Sequence, residues 1–448
     1  MSEETKTKNA VEEVAKKIVR PILIIRDAFK NLDLDFEKIR FPRKALKRFI
    51  EFIEEVTDTR VKGMIKYTLS YIVLLAFLAV CANSSTWVDI EEFGKQKRKM
   101  LKRWLPKYQG IPSHDTFQRV FGKIDPAQLC EAVSAFLLQE LDAMKNALNI
   151  KEEGYRLINA DGKEAKGTGR KYGTDEKISN QQTLNIYDAS NAVVLGSIPI
   201  DTKTNEIPTL QDFLKQKEID LKDCIVTFDA MNTQKETIRV ICSQNGDYVG
   251  GLKGNQQLFS EEVKSYFDDK TLAQIRQDKV NYRFCIEKAH NKIEKRRYYF
   301  STDVKWFTNP DKWTNLRSVI CYESETEDLV TGKKTFERRY YISSLTNVDV
   351  CVDAIRGHWS IENQLHWHLD VSFGEDRNST TDKNAFNNLS IINKISLTLF
   401  KLIQPIMGIG LEAIRKCVVW NLEGMLSLLL CLFDESVLKE AMKVQRQA

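Results

Sequence analysis

Proline and glycine are scarce in this chain, nine and twenty residues in 448, which excludes collagen-like and proline-rich classes. No CxxC pair occurs. The nine cysteines stand singly and are odd in number, a pattern that fits a reducing cytosol and argues against a disulfide framework or a thiolate zinc site. Long apolar runs are missing too. The most apolar stretch, Leu69 to Ala82, falls short of the roughly 20 residues a bilayer crossing needs and is expected as a buried helix. The N-terminus lacks a short apolar segment with a small-residue cleavage site, so no secretory signal is expected and the chain is placed in the cytoplasm.

Neither charge sign dominates: 67 Lys and Arg face 62 Asp and Glu, a net charge of +5. That is too little to announce a polyanion partner without clustering. Hydrophobic residues make up 42% and aromatics 10%, which excludes global disorder. At roughly 150 residues per domain the length predicts two or three domains.

Helical periodicity runs through the first 150 residues. Residues 1–60 read as a charged helical extension with apolar positions Val11, Val14 and Ile18, then Leu46, Phe49, Ile50 and Ile53. Residues 61–150 read as an all-helical domain, with Ser113 as N-cap of a short helix carrying Arg119. At Tyr155 the period changes to that of strands. One strand is expected to stop at Asp161-Gly162, two more to cover Thr183–Tyr187 and Ala192–Ile200, and then to follow a helix, a strand ending at Asp229, a helix and a strand at Asp247–Gly251. That order predicts a mixed α/β fold with a ribonuclease-H-like core. A β-rich insertion at about 270–345 and C-terminal helices complete the expected catalytic domain, residues 151–448.

Asp161 and Asp229 each close an apolar strand in this reading, and two such carboxylates repel unless a cation lies between them. A third acid is expected from a C-terminal helix. His358, Glu362 and His366 are four apart and share one helical face; Asp370, Glu375 and Asp376 compete with Glu362. The HExxH motif of metalloproteases is absent. For DNA the candidate contacts are Lys97, Arg98, Lys102 and Arg103 beside Trp104, the glycine-rich loop with Lys163, Lys166, Arg170 and Lys171, the trio Lys253, Asn255 and Gln256, and Trp306 as a stacking platform.

Several stretches together resemble the H-repeat-associated insertion-sequence transposases of the DDE superfamily: Asn159 to Lys163, Thr202 to Pro208, Asp229 to Lys235, Gly246 to Tyr248, Leu252 to Gln256, Arg356 to Trp367, Leu369 to Val371 and Phe373 to Asp376. The segment Asp58 to Leu141 resembles the helical domain preceding the catalytic domain in that family. The resemblance implies a catalytic, metal-holding triad of Asp161, Asp229 and Glu362. The wider group's tyrosine, arginine, glutamate and lysine pattern falls on Ile355, His358, Glu362 and Leu369, so three positions depart, and His358 with Arg356 is expected to take over phosphate contact. Also implied are Mg²⁺ or Mn²⁺, as two ions, double-stranded DNA as element ends and target, a homodimer or higher assembly on DNA, no membrane, and a prokaryotic cytoplasm with nucleoid association. The expected activity is metal-dependent strand cleavage followed by joining of the 3′-OH ends to target DNA. A catalytically silent DNA-binding descendant and a nuclease without strand transfer are the alternatives.

Overall fold

A computed structural model of the chain describes residues 16–30, 43–105, 107–169, 179–201, 206–216, 219–289, 291–434 and 439. They form two compact units: Arg20–Lys151, Ile158–Ile219 and Gly357–Ala448 make the larger, and Met1–Val19, Glu152–Leu157 and Asp220–Arg356 the smaller.

The larger unit is built round apolar helices. Leu69–Cys81 is buried at every position, with Thr68 capping its start by accepting from the Tyr71 amide; a helix apolar all round has to be enclosed. Lys383–Met407 begins at Asp382, which accepts from the Ala385 amide, and ends at Gly408 with φ 65°, the left-handed conformation that glycine adopts without strain. This helix is long and apolar enough to cross a membrane, yet Ala385 to Ile403 are buried in the core. Its buried donors find partners: Asn388 Nδ2 donates to the carbonyls of Phe121 (2.8 Å) and Ile124 (3.0 Å), and Lys394 Nζ to Ser197 Oγ (2.6 Å).

The expected boundary at 60 falls inside the larger unit, whereas the one at 150 lies beside a unit break, between Lys151 and Glu152. Ile22, Ile25 and Phe29 of Pro21–Lys30, and Leu46, Phe49 and Ile53 of Arg43–Glu54, share one core with Leu69–Cys81, Pro126–Ala147 and Lys383–Met407. None of these amphipathic faces has enough apolar area for a core of its own. Ile18, expected on a helix, instead forms a parallel bridge with Tyr155; Val11 and Val14 lie outside the described residues. The Ser113 cap holds, accepting from the Thr116 amide at the start of His114–Phe121.

Three antiparallel strands belong to the larger unit for all but the first two residues of β1: β1 (Arg156–Ala165), β2 (Gln181–Asp188) and β3 (Val193–Ile200). Asp161 lies opposite Asn185, and Asn185 opposite Ser197. The smaller unit holds β4 (Cys224–Phe228), β5 (Asp247–Leu252), β6 (Tyr282–Ala289), β7 (Lys292–Ser301), β8 (Ser318–Asp328) and β9 (Lys334–Ser343). β4 and β5 are parallel, and the series β5, β9, β8, β7, β6 is antiparallel, so the sheet is mixed. The last four strands extend well past their apolar runs. There, cross-strand ion pairs such as Arg338 with Glu323 and Arg296 with Glu287 carry the ladder onward.

Lys394 gives this core a pH dependence. Burial pushes its ammonium down to about 8 from an ordinary 10.5, with Glu375 opposing. Between those values the unfolded chain binds more protons, so this lysine makes stability rise with pH. From pH 7 to pH 10, the wild type is expected to gain about 2 kcal/mol on Lys394→Met, read from urea midpoints; a constant difference would refute the assignment.

Candidate active site

β1 does not stop at Asp161. It stays paired with β2 as far as Ala165 opposite Gln181, so Asp161-Gly162 is strand interior, not a turn. The glycine serves close approach: a Cβ at Gly162 would lie 2.6 Å from Glu206 Oε2. Asp161 is thereby fixed on a ladder instead of a loop. Two residues earlier, on the same strand face, buried Asn159 donates from Nδ2 to the Gly357 carbonyl (2.8 Å) and to Ser360 Oγ (2.9 Å). β1 is thus tied to the chain immediately before Glu362.

There the helix Val348–Ser360 widens into a π-helical turn, Ile361–His366, before resuming as Trp367–Val371. Turns of this kind occur mostly as single insertions within α-helices, and here the Gln364 carbonyl accepts from the Lys401 ammonium. Lys401 is buried beneath the turn, its Nζ 5.7 Å from the Tyr187 ring centre.

Asp161, Glu362 and His366 meet here, with one ligand atom from each lying within 4.8 Å of the others. His366 Nδ1 is 3.4 Å from Glu362 Oε2 and 3.7 Å from Asp161 Oδ2. Glu362 is 51% exposed at its side chain and His366 6%, so a buried imidazole backs an accessible carboxylate. The His366 hydrogen bond pulls the Glu362 carboxyl down to about 2; burial opposes it, and Asp161 and the His358 charge act with it.

The competing acids are held elsewhere in this unit. Lys163 Nζ lies 2.5 Å from Asp370 and 4.0 Å from Asp376, and Lys166 lies 3.5 Å from Asp376. Buried Glu375 accepts from Asn393 (3.2 Å). Lys163 and Lys166 thus face carboxylates of the chain itself; Arg170 and Lys171 lie outside the described residues. Lys97, Arg98, Lys102 and Arg103 are exposed, with Arg103 paired to Glu423 and Lys102 over the Tyr108 ring. Trp104 is buried, a core anchor of its helix. An additional basic groove of about 260 Å³ is lined by Arg60, Lys66, Arg119 and Lys123.

The smaller unit carries the remaining candidates. Asp229 follows β4 and accepts from the Asn232 amide (3.1 Å), while Thr233 Oγ1 donates to the Gly251 carbonyl (2.5 Å). Asn255 and Gln256 brace this loop, donating to the carbonyls of Ala230 (2.6 Å) and Thr233 (3.3 Å), and Lys253 precedes them, exposed. Trp306 stacks on Tyr266 at 4.5 Å and donates from Nε1 to the Asp303 carbonyl. Arg356 is ion-paired with Glu287.

Residues 152–399 match the family described as Transposase DDE domain, and residues 50–137 match DDE_Tnp_1-associated. YbfL of Escherichia coli K12 is 31% identical over 364 residues, covering 79% of this chain and 90% of that protein. The chain belongs to the DDE transposase family, in its H repeat-associated branch. YhhI of the same strain, named H repeat-associated, is 30% identical over the same shares of both chains. YncI of E. coli O157:H7, named a transposase, is 29% identical over 84% of this chain and 93% of its own length.

Within this transposase fold, His366 takes a place at the site, where helical spacing alone put it only on the same face as Glu362. Asn159 and Asn185 had one local signal, a carboxamide inside an otherwise apolar strand. Asn159→Ala is expected to lower stability by about 1–3 kcal/mol, since it leaves buried acceptors unpaired. Thermal unfolding checks this, and an unchanged midpoint would show that the tie to Gly357 and Ser360 holds nothing.

Proposed function

We propose that this protein is a DNA transposase that binds the ends of its insertion sequence, cleaves DNA strands by metal-dependent phosphodiester hydrolysis and joins the 3′-OH ends to target DNA. The observation that carries the reading is the meeting of Asp161 and Glu362, distant in sequence, at one accessible point. Asp161, Asp229 and Glu362 are the proposed catalytic triad. A ribonuclease-H-like core is proposed with it, supported by the order of β1 to β3, a helix, β4, a helix and β5, with β4 and β5 parallel.

The donor set fits a hard divalent cation, because two carboxylates offer closely spaced oxygens beside solvent. Two Mg²⁺ or Mn²⁺ ions held by the triad would supply activation of water or a 3′-hydroxyl and stabilisation of the leaving oxygen. The protein's own part is to hold the carboxylates still. β1 pairing fixes Asp161, and Asn159 and Lys401 fix the turn bearing Glu362. Phosphate binding falls to the exposed basic residues Lys97, Arg98, Lys102 and Arg103, to the loop near Lys163, to Lys253, and to His358. We assign Trp306 to stacking on an unpaired base, and place the assembly, as a homodimer or larger, on DNA in a prokaryotic cytoplasm.

Asp229→Asn is expected to abolish strand cleavage of a labelled element-end fragment while sparing its binding, because an amide lacks the charge that holds cations. Retained metal-dependent cleavage would remove Asp229 from the triad. Replacing Lys97, Arg98, Lys102 and Arg103 with alanine should weaken binding to every sequence and flatten the log–log salt dependence by about one unit for each phosphate no longer neutralised. An unchanged slope in filter binding would move the track to the Arg60, Lys66, Arg119 and Lys123 groove.

A further inference from the structure

His366 has two ring nitrogens with different neighbours. Nδ1 faces Glu362 Oε2 and Asp161 Oδ2. Nε2 is 3.2 Å from Asn185 Nδ2. Asn185 is fully buried and sits opposite Asp161 in the β1–β2 ladder, and its Oδ1 has no hydrogen-bond partner among the described residues.

The orientation of that amide sets the ring's tautomer. With Nδ2 toward the ring, Nε2 accepts and Nδ1 carries the proton, which it shares with the two carboxylates. With the amide turned over, Oδ1 gains the Nε2–H it otherwise lacks, and Nδ1 points a lone pair at the space bounded by both carboxylates. A metal-bound imidazole almost always donates its other N–H to an oxygen acceptor, the part Asn185 Oδ1 is placed to play.

We propose that His366 Nδ1 is a direct ligand of the divalent cation held by Asp161 and Glu362, with Asn185 as its outer hydrogen-bond acceptor. This rests on the cation-binding reading of the two carboxylates and adds a nitrogen donor to their oxygens. Ligation moves the ring proton from Nδ1 to Nε2, so a neutral imidazole loses no proton overall. The consequence is selectivity: Mg²⁺ takes oxygen ligands, whereas imidazole suits first-row transition metals. The site therefore favours Mn²⁺ over Mg²⁺.

Pulsed electron paramagnetic resonance of Mn²⁺ on the full-length protein tests this without relying on turnover. The wild type should show coupling to a histidine nitrogen that changes on ¹⁵N-histidine labelling. His366→Gln should bind Mn²⁺ at least tenfold more weakly, show no such coupling, and lose most of its preference for Mn²⁺ over Mg²⁺. Asn185→Ala should keep the coupling and bind Mn²⁺ roughly 10–100-fold more weakly. Mn²⁺ bound by the wild type with oxygen ligands alone would overturn the proposal and leave the carboxylate site standing. Coupling that survives His366→Gln would overturn it as well. Absence of Mn²⁺ binding by the wild type would overturn both this proposal and the cation-binding reading beneath it.

Discussion

Two carboxylates and an imidazole share one small space, and the architecture around them exists to keep them there. Asp161 and Glu362 carry like charge, and their approach costs free energy that the His366 hydrogen bond offsets and a cation would reverse. Such an arrangement survives only if the backbone on both sides is rigid. β1 supplies rigidity through its unbroken ladder with β2. Asn159 supplies it again by joining that strand to Gly357 and Ser360, and Gly162 lets Glu206 close in behind.

The helix Lys383–Met407 is the second half of the constraint. Its sequence looks like an apolar core helix, yet it carries buried Lys394 and Lys401. Lys401 supports the π turn at Gln364, and Lys394 reaches Ser197, which lies in register with Asn185 and hence beside Asp161's neighbour. Burial pushes the Lys401 ammonium down to about 7, with Arg26 adding to it. Burying a cation this deeply is costly. Here the buried ammonium has the Gln364 carbonyl as a hydrogen-bond acceptor.

Much of this was legible from residues alone. The period change at Tyr155 marked the start of the strands, and the strand and helix order after it followed from alternation, turns and apolar runs. Glu362 stood out because its helix carries three of the five histidines. Illegible features were those set by tertiary partners. Asp161-Gly162 has turn chemistry, but pairing with Asn185 and Leu184 holds it in the strand. The π turn has no local signal in the sequence, and the Lys401 ammonium that donates to its Gln364 carbonyl comes from a helix 37 residues on. The strands β6 to β9 outrun their apolar cores because charged pairs, invisible to hydrophobic periodicity, extend the ladders. Helices 21–30 and 43–54 read as an extension because their partners lie far along the chain, as with Arg48, which reaches Glu140, 92 residues on, and the Phe433 carbonyl, 385 residues on.

The central claim, that Asp161 and Glu362 form a divalent cation site, is most directly tested by crystals grown with Mn²⁺ and measured on both sides of the manganese absorption edge. The expected result is an anomalous peak at coordination distance from a carboxylate oxygen of each. A peak only at Asp370 and Asp376, or none, would contradict it.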